Sequence, residues 1–413
     1  MKLSRVVWLC LLSLPSAGYA QPISFTDAWQ QVLKVSDKLQ AQSQEVNRAK
    51  GEEEAGESLN FPSLDIRGNY IHLDKPIEFD LKELNSVISI PPSLGGIIAG
   101  IPPLPLSEQD IFSASLQAMW PIYTGGQITA AQGIHAAMVA EKQQELQLAT
   151  RDLFTLLVDR YYAVDVTLAL VNTQTDLVGS LAKHVDHALA LEREGQIAKV
   201  ERLNAQVALD NAKVNLGSAR RQHEMAVIAL ARMLQQSQVS TNSPLFVLPQ
   251  APSFAQLSQI TLSQHPALKL LEAKETQANG LIALEKGKYH PTVFLFGNYT
   301  LYEEDTLLTS ITPDWMVGVG VNVPLISRDG RSGKVEAAKS ALLQARYTKA
   351  QTKQDLSLLV DQSYRQLLQA EEEVTALDTS LELAIENLRL RDIAFNQGLS
   401  TSIDRVDAEL KLS

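Results

Sequence analysis

The chain is nearly without cysteine: Cys10 is the only one in 413 residues. A single thiol builds no disulfide framework and no cysteine metal site. Long apolar runs are missing as well. Beyond the amino terminus no stretch offers the roughly 18 apolar residues of a membrane-spanning helix. A chain of this kind that crosses a membrane must do so with strands. Basic charge is also short, with a net charge of −11 at pH 7, so nucleic acid is not an expected partner.

Catalytic signatures are lacking too. There is no nucleophile elbow. His184 and His187 stand three apart at metal spacing, but they are read as solvated on a helix face. Gly330-Arg331-Ser332-Gly333-Lys334 lacks the spacing of a phosphate loop. Asn298-Tyr299-Thr300 fits a glycosylation acceptor but falls inside an expected strand. The chain is therefore not read as an enzyme, and no cofactor or metal is expected.

Proline is absent between Pro121 and Pro244, and again after Pro324. Proline breaks helix interiors, so both stretches are free to be helical, and their patterns agree. Leu157, Val164, Val171, Val178 and Val185 recur every seven residues. A strict seven-residue apolar repeat keeps a seam toward a neighbour and imposes a left-handed supercoil. After Glu194-Gly195-Gln196 a second seam runs through Val200, Val207 and Val214. The pattern predicts a coiled-coil hairpin. Residues 127–193 as one helix span about 100 Å at 1.5 Å per residue. Val360, Leu367, Val374, Leu381, Leu388 and Phe395 repeat the design, with the bend at Gln397-Gly398-Leu399. Ala370 and Ala384 beside this seam leave room for helices to pack side by side in a wall.

Met1–Ala20 reads as a secretory signal: Lys2 and Arg5, an apolar run from Val6 to Leu14, then Ala17-Gly18-Tyr19-Ala20. Its removal takes Lys2 and Arg5 away and leaves a net charge of −13. Cys10 leaves with it, and no lipid anchor is expected. Ser24 to about Asn60 reads as helix behind a Ser-Phe-Thr-Asp cap. An alternating strand follows Pro62, with Leu64, Ile66, Gly68, Tyr70 and His72 on one face. Asp74–Gln109, rich in proline and glycine, reads as a loop without elements. Asp110–Trp120 is a second strand, with Phe112, Leu116 and Trp120 apolar and Ser113, Ser115 and Gln117 opposite.

Ser253 restarts the programme. An offset of 229 carries Ser24-Phe25 to Ser253-Phe254, Pro62 to Pro291, and Gly68-Asn69-Tyr70 to Gly297-Asn298-Tyr299. After the next strand the offset is 203, so the second inter-strand loop is 26 residues shorter. That strand sets Trp315, Val317, Val319 and Val321 against Gly318, Gly320 and Asn322. The domains are therefore a signal at 1–20, one repeat at 21–252 and a second at 253–413. By comparison with the first copy, the last helix is expected to run to about residue 437, so the second repeat reads as truncated.

The strands are about ten residues long, the length that crosses a bilayer when tilted. Trp120, Tyr123, Tyr302 and Trp315 lie at or near strand ends, where an aromatic girdle belongs. Phe112, Leu116, Trp120, Trp315, Val317, Val319 and Val321 are expected to face lipid. Open strand edges are not tolerated in lipid. Four strands per chain therefore need partner chains, and three copies give about twelve strands. The fold class is mainly α, internally duplicated, with a β-barrel contribution.

The two bends carry a resemblance. Gly195-Gln196-Ile197 followed by Val200-Glu201-Arg202-Leu203-Asn204-Ala205, and Gly398-Leu399-Ser400 followed by Ile403-Asp404-Arg405-Val406-Asp407-Ala408, resemble the hairpin tips of TolC-like outer-membrane efflux proteins. The order of elements is similar over nearly the whole chain. The resemblance implies a homotrimer with a shared twelve-stranded transmembrane barrel in outer-membrane lipid and an α-helical barrel crossing the periplasm. It implies an efflux or type I secretion channel carrying small molecules or proteins. Its tips (Gly195, Gln196, Ile197, Gly398, Leu399 and Ser400) would dock a periplasmic adaptor, or membrane fusion, protein joined to an inner-membrane transporter. Glu386, Arg389, Arg391 and Asp392 precede the second bend. They align with Lys183, Asp186, Ala188 and Leu189 of the first copy and are candidates for a periplasmic constriction. The alternative is a periplasmic coiled-coil adaptor or scaffold. An adaptor would carry one hairpin and small β-domains, and a scaffold would not need the strands.

Overall fold

The computed structural model describes residues 22–83, 91, 97–98, 100–247, 252–303 and 312–413. The expected signal with Cys10 lies outside the described residues, as do Pro92 and Gly95-Gly96 of the first inter-strand segment. The helices are α1 (Phe25–Val35), α2 (Asp37–Glu57), α3 (Gln127–Arg193), α4 (Lys199–Met233), α5 (Phe254–Gln264), α6 (Pro266–Gly287), α7 (Arg331–Asn396) and α8 (Ser402–Leu412). The strands are β1 (Pro22–Ile23), β2 (Ser63–His72), β3 (Ile77–Phe79), β4 (Leu104–Ser107), β5 (Asp110–Tyr123), β6 (Ser240–Thr241), β7 (Thr292–Glu303) and β8 (Trp315–Asn322). Both long helices formed as the absence of proline allows: α3 has 67 residues and α7 has 66.

The chain divides into two compact units, and each draws on both repeats. One holds 45–144 and 267–352, and the other holds the residues before 45 with 145–266 and 353–413. The first unit contains a four-stranded antiparallel sheet in the order β2-β5-β7-β8. Its helices approach closely where glycine permits. Ile134 Cγ1 lies 2.7 Å from where a Cβ on Gly280 would be, so α3 and α6 meet with no side chain between them. Gln277 donates to the Ala137 carbonyl at 3.3 Å, and Lys274 pairs with Glu141 at 3.4 Å.

In the other unit Leu153, Leu157, Tyr161 and Val164 of α3 pack with Ala28 and Val32 of α1 and with Leu230, Ala231 and Leu234. The Tyr161 hydroxyl donates to the Ile23 carbonyl at 2.7 Å and accepts from the Asn242 and Ser243 amides at 3.2 and 3.0 Å. One buried side chain thus ties the amino-terminal strand and the linker to the first hairpin.

Several expectations need correction. The first helix is two helices broken at Ser36, whose ψ of 109° is extended. The offset of 229 carries Ser36 to His265, and the second copy breaks there too, ahead of Pro266 at a helix start, where proline costs nothing. Asp74–Gln109 is not wholly loop, because β3 and β4 pair antiparallel within it. The second strand passes through Pro121 to Tyr123, and its register shifts there, as a proline without an amide hydrogen requires. The seam also drifts. Leu157 and Val164 are buried, but farther along α3 the buried positions are Leu177, Leu181, His184 and Ala188, leaving Val171, Val178 and Val185 half-buried. A seven-residue stripe slips about 20° per heptad on a straight helix. On α4 the buried line is Ala205, Leu209, Ala212, Leu216 and Ala219, while Val200, Val207 and Val214 are exposed. On α7, Val374 and Leu381 are exposed and Phe395 is buried.

Candidate channel wall and hairpin tips

Cross-strand partners share a face of a sheet, so the register tests whether the expected apolar positions belong together. Leu64 pairs with Ala118, Ile66 with Leu116 and Tyr70 with Phe112. Leu116 then pairs with Tyr299, Ala118 with Gly297 and Trp120 with Leu295. Val293, Leu295, Gly297 and Tyr299 pair with Val321, Val319, Val317 and Trp315. Every position read as lipid-facing therefore lies on one continuous face. Phe112, Trp120, Trp315, Val317, Val319 and Val321 are exposed there, and Leu116 is half-buried. An uninterrupted apolar patch of this kind marks an interaction surface. The Trp120 indole donates to the Asn60 carbonyl at 2.9 Å, at the end of the sheet nearest the helices. Tyr70 and Phe112 meet at the other end, with ring centroids 5.5 Å apart and planes tilted by 46°.

The opposite face is not uniformly polar, contrary to expectation. Asp65, Gln117 and Asn298 form one row and Arg67, Ser115 and Thr300 another. Toward the helices the rows become Met119–Phe296–Gly318 and Pro121–Phe294–Gly320. The Phe296 ring lies 2.6 Å from where a Cβ on Gly318 would be, and Phe294 covers Gly320 in the same way. Glycine leaves the space that these rings fill.

The hairpin tips lie in the other unit. Gly195 and Gly398 have φ of +71° and +69°, with nothing within 4 Å of a Cβ added at either. Gln196 N–H donates to the Leu191 carbonyl at 2.9 Å and Leu399 N–H to the Ala394 carbonyl at 2.8 Å. Both are six-to-one closures around a left-handed glycine, the Schellman ending of a helix. Gln196 and Leu399 are exposed, and Ile197 and Ser400 half-buried. The return helix α8 starts with a capping box between Thr401 and Asp404. Those hydrogen bonds, from the Thr401 hydroxyl first, hold the Asp404 carboxyl below its ordinary range.

A polar cluster joins the two tips, and periodicity gave no sign of it. His184 is 3% exposed, not solvated, and its Nε2 lies 2.7 Å from the Ser402 hydroxyl. Its ring packs on Phe395 at 4.8 Å. Burial first, then the charges of Arg405 and His187, lower its pKa to about 4. His184 is thus neutral at pH 7. The Ser402 amide donates to Glu201 at 3.0 Å, so an acid of the first tip caps the return helix of the second. Arg405 pairs with Asp392 at 3.0 Å and Glu409 at 3.4 Å and donates to Ser180 at 3.3 Å. Of the constriction candidates, Asp392 is therefore engaged by Arg405. Glu386 and Arg389 pair with each other at 2.7 Å on an exposed helix face, and Arg391 is exposed. His184 and His187 do not join a third ligand: among the described residues no group of three histidine, cysteine or acidic side chains could hold a metal.

Among the described residues, no helix is long and apolar enough to cross a membrane. In solved structures the fold recurs in CusC, where it was studied for folding and transmembrane channel formation: 14% identity, 94% of this chain and 86% of that one, TM-score 0.75. It recurs in the outer membrane protein VceC from Vibrio cholerae at 16% identity, covering 94% and 89%, with a TM-score of 0.73. The open-state outer membrane channel MtrE of Neisseria gonorrhoeae matches at 15% identity, covering 94% and 83%, with a TM-score of 0.70. Curated protein sequences give no match. The outer membrane efflux protein model matches residues 28–235 and 257–413, so two hairpins, a duplicated plan and a four-stranded apolar-faced sheet coincide with a match over most of the sequence: the chain belongs to the outer membrane efflux protein family.

Proposed function

We propose that this chain is the outer-membrane channel of a tripartite efflux or type I secretion system. Three copies close a twelve-stranded barrel in the outer membrane and continue as a helical duct through the periplasm. The duct carries small molecules or proteins from an inner-membrane transporter to the exterior. The observation that carries this reading is the register-aligned apolar face of a sheet whose outer strands, β2 and β8, have no further neighbour among the described residues. In lipid each unpaired backbone group costs several kcal/mol, so the edges call for further copies. The adaptor and scaffold alternatives lose ground to the second hairpin and to that sheet.

The tips around Gly195 and Gly398 are the surface for a periplasmic adaptor, and Asp392 with its neighbours on α7 narrows the duct there. Fractionation with unboiled gel migration tests the whole reading. The protein should be in the outer membrane and migrate as a species that collapses to one-third of its mass on boiling. A soluble monomer overturns it. Single-channel conductance tests the constriction: Asp392→Ala should raise it, and unchanged conductance in Ala variants of all four candidates puts the gate elsewhere.

A further inference from the structure

The apolar alternation does not stop where β8 ends. Val317, Val319 and Val321 share a face with Trp315, and Val323 and Leu325 continue at the same spacing. Leu325 is 86% exposed and Ile326 is 96% exposed. Such side chains in water gain nothing from burial. The chain then becomes basic, with Arg328, Arg331 and Lys334 within seven residues. Arg331 donates to the Lys288 and Pro324 carbonyls at 3.0 and 3.2 Å, and its guanidinium lies 4.8 Å from the Tyr289 ring centroid. It makes no ion pair among the described residues, and these contacts fix its position. Arg328 and Lys334 are exposed and make no ion pair among the described residues. Lys288 nearby is held to Glu285 at 2.6 Å.

Asp329 is the only acid of this turn. The Ser327 hydroxyl, and then the charges of Lys334, Arg331 and Lys288, hold its carboxyl below the ordinary range. A net-acidic chain has thus gathered cations at one place. The aligned stretch of the first copy, residues 122–131 at the offset of 203, has no charge. The cations therefore answer something other than the need to turn from strand to helix.

Apolar residues that directly follow the apolar-faced strand, with cations next in sequence, fit one depth in a bilayer. The apolar pair enters the acyl region and the cations stand among the headgroups. Guanidinium and ammonium groups both bind phosphate oxygens strongly. We propose that Leu325, Ile326, Arg328, Arg331 and Lys334 form a binding site for an anionic phospholipid of the periplasmic leaflet. This rests on the reading above that the apolar sheet face meets the bilayer.

The test uses the full chain extracted in mild detergent, with phosphatidylglycerol and phosphatidylcholine as probes. Lipid retained per protein is measured by mass. Phosphatidylglycerol should be retained in preference to phosphatidylcholine. Arg328→Gln with Lys334→Gln should cut that preference about five-fold for each charge removed, the equivalent of ~1 kcal/mol. Arg331 is left in place because its bonds shape the turn. Leu325→Ser with Ile326→Ser should lower retention of both lipids. Unboiled migration and membrane fractionation of the same variants should match the parent. An unchanged preference in charge variants that still reach the membrane overturns the lipid site and leaves the channel reading intact. Equal retention of both lipids by the parent also overturns it, and turns the cations toward an acidic protein partner. A parent chain absent from membranes defeats the channel reading itself.

Discussion

His184 shows how much one residue can depend on distant sequence. Its neighbours in sequence describe a charged helix face, and Phe395 at the end of α7 together with α8, more than two hundred residues later, cover it. No local pattern could announce that burial. The consequence is a pH dependence. The pKa of His184 falls from 6.5 to about 4 on folding, so between these values the unfolded tip binds a proton that the folded tip refuses. Its contribution is intact above about pH 6.5 and is lost as pH falls toward 4. The protection of α8 amides against hydrogen exchange, taken relative to the intrinsic exchange rate at each pH, should therefore fall between pH 7.5 and pH 5. His184→Asn retains a polar partner for Ser402 without titrating in this range, and should flatten the response. An equal response in both proteins would assign the pH effect to another group. The Asp404 carboxyl, whose pKa is lowered, acts only in a more acidic window, below its ordinary value.

At the scale of elements, the sequence declared the long helices, both bends, the strands and the duplication. Absence of proline and a period of two are local properties and both held, whereas the seven-residue period announced the helices without marking their buried faces. The faces were harder to read. Periodicity picked valines on α4, yet Ala205, Leu209, Ala212, Leu216 and Ala219 meet the neighbour. Period gives spacing but not which of two adjacent stripes finds a partner. The breaks at Ser36 and His265 were missed because no glycine marks them, and only Pro266 gave a local signal for one of them. The bends offer a cleaner test of adaptor docking than their glycines do. A side chain at Gly398 would strain the backbone by ~1–2 kcal/mol, mixing fold with function. Leu399 is 78% exposed with ordinary geometry, so Leu399→Ser disturbs the surface alone. Export should fall while membrane level and trimer remain. Full export in this variant would remove Leu399 from the docking surface.

For the whole molecule the faces of the sheet decide the account, and they were legible because alternation and register must agree. What alternation could not show was the interior Phe294 and Phe296 filling the space over Gly320 and Gly318. That filling changes how the faces should be tested, since an arginine at Gly320 would collide with Phe294 whichever way the face points. Ser115, in the row with Arg67 and Thr300, is the proper comparison. Leu116→Arg, at the middle of β5 on the apolar face, should cost about 2–4 kcal/mol near the bilayer midplane and reduce assembled protein, whereas Ser115→Arg should assemble. The reverse order would invert the wall.

Closure between copies is the central claim, and crosslinking across the open edges tests it most directly. Cys10 is the only native cysteine, so introduced pairs report without interference once it is replaced by serine. Ile66→Cys on β2 is combined in turn with Val317→Cys, Val319→Cys or Val321→Cys on β8, which samples three registers between chains. A disulfide needs Cβ atoms about 3.5–4.5 Å apart, so only edges that pair will join. At least one pair should give a covalent ladder in membranes that ends at three chains. A ladder that runs past three, or no crosslink in any pair from correctly localised protein, would contradict a barrel closed by three copies.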